Sequence, residues 1–215
     1  MIADGFYYAA ASLLAGGGLA WLWGWPGWIP AGVLAAFFLY FFRDPERVIP
    51  ASPDMVVSPA DGRVSSIEPT PAGTRVSIFL SIFDVHVNRA PIAGKVTGVD
   101  YRQGRFLNAL NPRSSVENEQ NRVQVEGEQG EVQFVQIAGL LARRIVFWPQ
   151  RGDWLERGQR VGLIKFGSRV DLYLPKRAEL LIEPGAHVRG GSSVLARLPL
   201  PTGAQARPRD AAAEA

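Results

Sequence analysis

Three short segments carry the side chains able to do chemistry in this chain of 215 residues. The first is Gly162-Leu-Ile-Lys-Phe-Gly-Ser-Arg-Val-Asp-Leu-Tyr-Leu-Pro175, where two apolar, strand-like runs meet at Gly167-Ser168. A serine hydroxyl becomes a useful nucleophile only when a base or strain activates it. Taken alone, a Gly-Ser pair between strands is a turn or bulge. Strand–turn–strand is also the wrong context for the strand–turn–helix elbow of hydrolases. The second segment is Val57-Ser-Pro-Ala-Asp-Gly-Arg-Val64, in which Asp61-Gly62 is equally a hairpin turn signal. The third is Phe79-Leu-Ser-Ile-Phe-Asp-Val-His-Val-Asn-Arg-Ala-Pro91. Here Asp84, His86 and Asn88 alternate with apolar positions, so along a strand they share one face. A carboxylate, an imidazole and an amide on one otherwise apolar strand are the materials of acid–base chemistry. A single histidine in that setting is more often a hydrogen-bonded structural residue.

Composition narrows the classes. There are no cysteines, which excludes disulfides, thiolate nucleophiles and Cys-based metal sites. The formal charge of +3 includes no concentrated Lys/Arg block, so nucleic acid is not an expected partner. A mild positive charge beside a hydrophobic segment suits an anionic lipid surface. The only histidines are His86 and His187, so a proton shuttle near neutral pH must use one of them or a substitute. His187 lies in a Gly-rich turn and reads as a surface residue.

The elements that must position these groups fall into three parts. Residues 1–47 hold an apolar stretch, uncharged from Gly5 to Phe42, that stops abruptly at Arg43-Asp-Pro-Glu-Arg47. Gly16-Gly-Gly18, the Trp21–Trp28 cluster and Pro30 punctuate it. Tryptophan favours the membrane–water interface. The expected structure is therefore two apolar helices, near residues 5–21 and 30–43, joined by an interfacial aromatic turn. They form a hairpin or lie partly within one leaflet, and their topology stays open. A cleavable signal peptide fits poorly, because no basic residue precedes the apolar run. A buried globular helix pair is the bland alternative.

Residues 48–200 alternate short apolar runs with turn signals, the pattern of a mainly β sandwich or barrel-like domain. Candidate strands are 55–57, 62–68, 75–80, 94–101, 121–126, 132–137, 161–166, 169–173 and 193–198, with a short helical turn at 139–144. Glycines at 94, 152, 158, 162, 185 and 190 flank valine or leucine in a pattern like the turns of lipoyl- and biotinyl-type β-sandwiches. No swinging-arm lysine motif accompanies it, which disfavours a carrier function. Residues 201–215 are Pro/Ala/Arg-rich and lack core-forming side chains, so they are expected to be a disordered tail.

In combination, the segments resemble the phosphatidylserine decarboxylase family, particularly its short bacterial and archaeal proenzymes. The resemblance runs through Phe41-Phe-Arg-Asp-Pro-Glu-Arg47, Ser58-Pro-Ala-Asp-Gly62, Phe83-Asp-Val-His-Val-Asn-Arg-Ala-Pro91 with Gly94-Lys-Val96, Asn118-Glu-Gln-Asn121, and the segment around Gly167-Ser168. Each piece is weak alone, but the ordered set is specific and covers the chain apart from its tail. The resemblance implies that the Gly167–Ser168 bond breaks itself. Ser168 then becomes a pyruvoyl group that forms a Schiff base with phosphatidylserine and serves as electron sink for its decarboxylation, with no metal and no pyridoxal phosphate. It further implies a large chain, 1–167, and a small chain, 168–215, that stay associated because strands on both sides of the cut share a sheet.

By the same resemblance, Asp61 and His86 are the orienting acid and the base. Longer family members carry Asp-Tyr-His-x-x-His-x-Pro, whereas this chain has His86 at the first histidine and Arg89 at the second. Whether His86 serves cleavage, decarboxylation or both is therefore left open. Arg89 and Lys165 are candidates to bind the lipid phosphate or carboxylate. The hydrophobic N-terminus then holds the site at the cell membrane, where a diacyl lipid stays. Two alternatives are a decarboxylase of a related serine-headgroup lipid such as archaetidylserine, and a non-enzymatic, membrane-anchored lipoyl-like β-domain. The possibility of a higher oligomer is open.

Overall fold

The structure, a computed structural model, describes residues 2–109, 111, 113–140, 144–165 and 168–199. An N-terminal helical hairpin is followed by a mainly β region. Helix α1 spans Ala3–Trp23, a short 3-10 turn covers Trp25–Gly27, and α2 spans Trp28–Phe41. Small residues let the two helices approach closely. Gly5, Ala9, Ser12 and Gly16 recur at spacings of three and four along the buried side of α1, facing Ala31 and Ala35 of α2. A Cβ added at Gly16 would sit 2.4 Å from the Ala31 Cβ. Gly16 therefore serves packing, and the glycine run does not interrupt the helix. The hairpin tip exposes Trp21, Trp23, Trp25 and Trp28. No helix among the described residues is long and apolar enough to cross a membrane.

The first strands are β1 (Met55–Val57), β2 (Gly62–Thr70), β3 (Gly73–Leu80), β4 (Val87–Arg89) and β5 (Gly94–Arg102). After a short helix, α3 (Ser114–Glu117), come β6 (Gln120–Gly127), β7 (Gly130–Ile137), β8 (Ile145–Phe147), β9 (Trp154–Leu155) and β10 (Arg160–Ile164). The last are β11 (Ser168–Pro175), β12 (Glu179–Leu180), β13 (His187–Val188) and β14 (Val194–Arg197). An eight-stranded antiparallel sheet, ordered β13-β2-β3-β11-β7-β6-β5-β9, curls into a half-barrel. Two three-stranded sheets, β1-β14-β12 and β4-β10-β8, complete the β region. The interior is filled by alternate residues of the long strands, such as Val76 and Ile78 of β3, Phe134 of β7, and Val170, Leu172 and Leu174 of β11. Each such side chain contributes about 1.5–3 kcal/mol on burial.

The sequence pattern anticipated the long strands, mostly to within two residues at each end. Two details differ. Asp84 is not on a strand: β4 covers only Val87–Arg89, and residues 82–84 form a turn. The Asp84 carboxylate accepts hydrogen bonds from the Ser81 backbone N–H and Oγ, both at 2.8 Å, so it caps that turn. Strands β8, β9, β12 and β13 are too short to show a period of two, and their pairing partners lie far away in sequence. The expected helical turn at 139–144 falls largely on residues 141–143, and the expected tail on 201–215, all outside the described residues. Of the glycines in the lipoyl-like pattern, Gly152, Gly158 and Gly185 do adopt positive φ. At Gly158, φ is 76° and an added Cβ would lie 2.3 Å from Ile49, so both backbone and space demand glycine.

Strand β11 occupies the middle of the large sheet. Ser168 to Pro175 pair with β3 from Leu80 to Gly73, and Arg169 to Tyr173 pair with β7 from Ile137 to Gln133. On the face away from the interior, Arg169 grips Asp171 through Nε at 2.6 Å and Nη2 at 3.0 Å, and Nη2 also donates to Ser77 Oγ on β3 at 2.8 Å. Strands β13 and β14 likewise pair with β2 and β1. A chain cut between residues 167 and 168 would therefore keep its two parts interleaved. The expected outcome is that both fragments co-elute as one particle in non-denaturing size-exclusion chromatography and separate only in denaturant. Release of the C-terminal fragment without denaturant would contradict this interleaving.

Candidate active site

Ser168 is the first residue of β11, and its side chain is fully buried. The alternation of the strand turns it to the same face as Val170 and Leu172, toward the interior. Its Oγ has no hydrogen-bond partner among the described residues. Leaving a buried hydroxyl unpaired costs about 1–3 kcal/mol, so such a group calls for an explanation. A hydroxyl held ready for reaction is one. Gly167, the other half of the expected scissile bond, lies outside the described residues.

His86 directly precedes β4, and the backbone ties it to the approach to Ser168. The Ile164 N–H of β10 donates to the His86 carbonyl at 3.3 Å, and β10 ends four residues before Ser168. His86 Nδ1 lies 3.0 Å from the Asp84 carbonyl oxygen. A carbonyl can only accept, so Nδ1 carries the proton and Nε2 holds the lone pair. The Phe41 ring at the end of α2 lies against the imidazole, with centroids 4.2 Å apart at 33°. Burial pushes the His86 pKa down to about 4, against the opposing pull of Asp84. His86 is thus a neutral imidazole at physiological pH, the form able to accept a proton.

Asp61 sits at the end of the Ser58–Asp61 turn, where Ser58 Oγ donates to the Ala60 carbonyl at 2.6 Å. Arg47 Nη2 donates to both Asp61 oxygens, at 2.9 and 2.8 Å, and the Gly190 N–H donates to Oδ1 at 2.8 Å. Burial nonetheless raises its pKa, outweighing Gly190 and Arg47, while the nearby Asp84 adds a smaller upward push. The close guanidinium holds an ionised carboxylate, and desolvation makes that carboxylate more ready to take up a proton than a surface aspartate. Removing Arg47 would strand the buried charge, a cost of about 3–5 kcal/mol.

The other expected groups are committed elsewhere. Arg89 donates to Asp44 Oδ1 at 2.7 Å and to the Gly158 carbonyl at 3.0 Å. Lys165 pairs with Asp4 of α1 at 3.2 Å and lies over the Tyr8 ring at 5.3 Å and the Phe42 ring at 5.7 Å. His187 is on the surface, and its Nε2 reaches Asp84 Oδ1 at 3.3 Å. The structure thus gathers Asp61, Asp84 and His187 at one edge of the half-barrel, puts His86 beside the β10 end that leads to Ser168, and directs Arg89 and Lys165 toward the N-terminal segment. Single-residue reasoning missed Phe41 and Arg47. Their signal was positional: they bracket the point where the apolar run breaks into Arg43-Asp-Pro-Glu-Arg47.

Comparison with known proteins identifies the family. A family model described as phosphatidylserine decarboxylase matches residues 34–196. A phosphatidylserine decarboxylase proenzyme of Solibacter usitatus (strain Ellin6076) is 50% identical, over 92% of this chain and 96% of the relative. One from Ruegeria pomeroyi (strain ATCC 700808 / DSM 15171 / DSS-3) is 48% identical, over 82% of this chain and 85% of the relative. The family and both relatives are decarboxylases, enzymes of the lyase class. The chain belongs to the phosphatidylserine decarboxylase family.

The His86 environment has a measurable consequence. In the unfolded chain a histidine takes up its proton near pH 6.5, whereas the folded chain resists until about 4. Stability tied to His86 is therefore fully present above about pH 6.5 and is lost as pH falls toward 4. Between pH 7 and 5 the loss should be about 2 kcal/mol. Urea unfolding of the detergent-solubilised protein should show it, and His86→Gln should flatten the slope. An unchanged slope in that variant would mean that His86 is not the buried neutral group.

Proposed function

We propose that this chain decarboxylates phosphatidylserine to phosphatidylethanolamine at a pyruvoyl group that it makes from Ser168. The observation that carries this reading is the fully buried Ser168 Oγ, without a partner, at the first position of a central strand. A structural serine in an apolar interior normally turns its hydroxyl to a carbonyl. An unpaired one fits a group destined to react and then to be replaced by a carbonyl, which needs no donor of its own. The names of the two relatives favour the phosphatidylserine substrate over archaetidylserine and over a non-enzymatic β-domain.

Self-cleavage would begin with attack of Ser168 Oγ on the carbonyl carbon of residue 167. The hydroxyl proton goes to a base, and neutral His86, with its lone pair on Nε2, is the side chain best suited to take it. Collapse with protonation of the amide nitrogen leaves an ester, and β-elimination and hydrolysis then release ammonia and separate chains 1–167 and 168–215. A pyruvoyl group at residue 168 supplies a conjugated carbonyl that holds the substrate amine and accepts the electron pair as CO₂ leaves. Asp61, held by Arg47 and Gly190, orients the acid side of the site. Lys165 and Arg89 pair with Asp4 and Asp44 of the N-terminal segment and would meet lipid phosphate or carboxylate if those carboxylates gave way.

The helical hairpin brings this site to the lipid. Its exposed tryptophans suit the headgroup boundary, and Phe83, also exposed, lies beside it: Arg43 Nη2 donates to the Phe83 carbonyl at 2.7 Å. Membrane association through this hairpin follows.

Intact-protein mass spectrometry tests the central claim. The wild-type chain should appear as two fragments divided between residues 167 and 168, the C-terminal one blocked by the pyruvoyl group. Ser168→Ala should persist as the intact 23.4 kDa chain and lose decarboxylation entirely. Decarboxylase activity in the uncleaved variant would overturn the assignment.

A further inference from the structure

A second unpaired group shares the interior with Ser168. Asn121 on β6, Gln136 on β7 and Asn88 on β4 are all buried, and they form a directional chain of amides. Asn121 Nδ2 donates to Gln136 Oε1 at 3.0 Å, and Gln136 Nε2 donates to Asn88 Oδ1 at 2.9 Å. Gln136 Nε2 also approaches the Val146 carbonyl at 3.5 Å. This polarity leaves the Asn88 Nδ2 amino group at the open end, fully buried and without an acceptor among the described residues.

Register places that end close to the reacting strand. Gln136 is directly opposite Val170 on β11, so its side chain is on the interior face that Ser168 and Val170 also occupy. Asn88 is opposite Gly162 on β10, the strand that leads into Ser168. Asn88 and His86 alternate around Val87, so they share a side of their segment. A buried amino group left open costs about 1–3 kcal/mol and awaits an acceptor. An oxygen that gains charge in the reaction would be such an acceptor. The substrate carboxylate is a poor occupant, because a donor there would stabilise the charge that must be lost as CO₂.

We propose that Asn88 is an oxyanion donor for self-cleavage, held in place by Gln136 and Asn121. This rests on the reading of Ser168 as the nucleophile. As Ser168 Oγ bonds to the carbonyl carbon of residue 167, the hydroxyl proton passes to the base and the C=O electron pair moves onto oxygen. Asn88 Nδ2 donates to that oxygen until the pair returns and the C–N bond breaks, the nitrogen leaving protonated. An uncharged amide suits this role, since it stabilises the oxyanion without drawing the proton-accepting lone pair of His86.

The test follows the rate of cleavage by mass spectrometry after synthesis in a cell-free system with lipid vesicles. Wild type, Asn88→Ala, Asn88→Asp and Gln136→Glu are compared. Both Asn88 variants should cleave about 100–1,000-fold more slowly, the usual loss for one oxyanion donor. Gln136→Glu leaves Asn88 in place but presents it with an acceptor, so the amide should reverse, occupy its amino group and slow cleavage similarly. Hydroxylamine, which cuts an ester, should not release fragments from any slow variant, because the block precedes ester formation. Circular dichroism and thermal unfolding show which variants are folded. Folded Asn88 variants that cleave at the wild-type rate overturn the proposal while leaving Ser168 intact as nucleophile. Ester accumulation that hydroxylamine can cut also overturns it. Absence of cleavage in the wild type would overturn the reading of Ser168 and this proposal together.

Discussion

The structure depends on where β11 is inserted. It enters the large sheet between β3 and β7, and its first residue is Ser168. The chain reaches it from β10, which belongs to a different sheet, so it changes sheets between Ile164 and Ser168. Hydrogen bonds to both neighbours fix β11 in register, and the buried Arg169–Asp171 pair, with Ser77, resists slippage on the outer face. A one-residue slip would send Ser168 to the opposite face and Arg169 into the apolar interior. The position of one hydroxyl is thus set by the pairing of an entire strand.

The hairpin is built into the same region. Phe41 and Phe42 at the end of α2 pack with Leu163 of β10, and Phe41 also covers the His86 ring. Asp4 at the start of α1 holds Lys165, and the Ile2 N–H donates to the Phe42 carbonyl at 3.1 Å. The apolar hairpin is therefore also the lid that desolvates the histidine. Burial of that imidazole keeps it neutral, and the Asp84 carbonyl selects its tautomer. Asp84 in turn links the Ser81 turn to His187, and its charge reaches Asp61. The docked hairpin, a neutral imidazole and a buried carboxylate are consequences of one packing arrangement.

The hairpin is built by two kinds of residue. Tryptophans give its tip an exposed aromatic surface, and small residues between the helices allow a tight pair.

Much of this was legible in the residues themselves. Alternating apolar positions in β2, β3, β5, β6, β7 and β11 announced strands because a half-buried sheet enforces a period of two. The abrupt change at Arg43 marked the end of the hairpin, since a charge sits poorly among apolar side chains. Ser168, His86 and Asp61 stood out only as members of an ordered set, because alone each is an ordinary turn or core residue. The sequence by itself thus determined the hairpin, the β-rich class and the identities of the polar groups, all of which rest on local periodicity and composition. Tertiary structure alone decided which groups meet: Arg47 with Asp61, Phe41 with His86, and Asn121, Gln136 and Asn88 in one directional chain. The reason is physical. Local pattern fixes which face a side chain occupies, but contacts between strands distant in sequence depend on register and sheet curvature. Only the folded chain sets these.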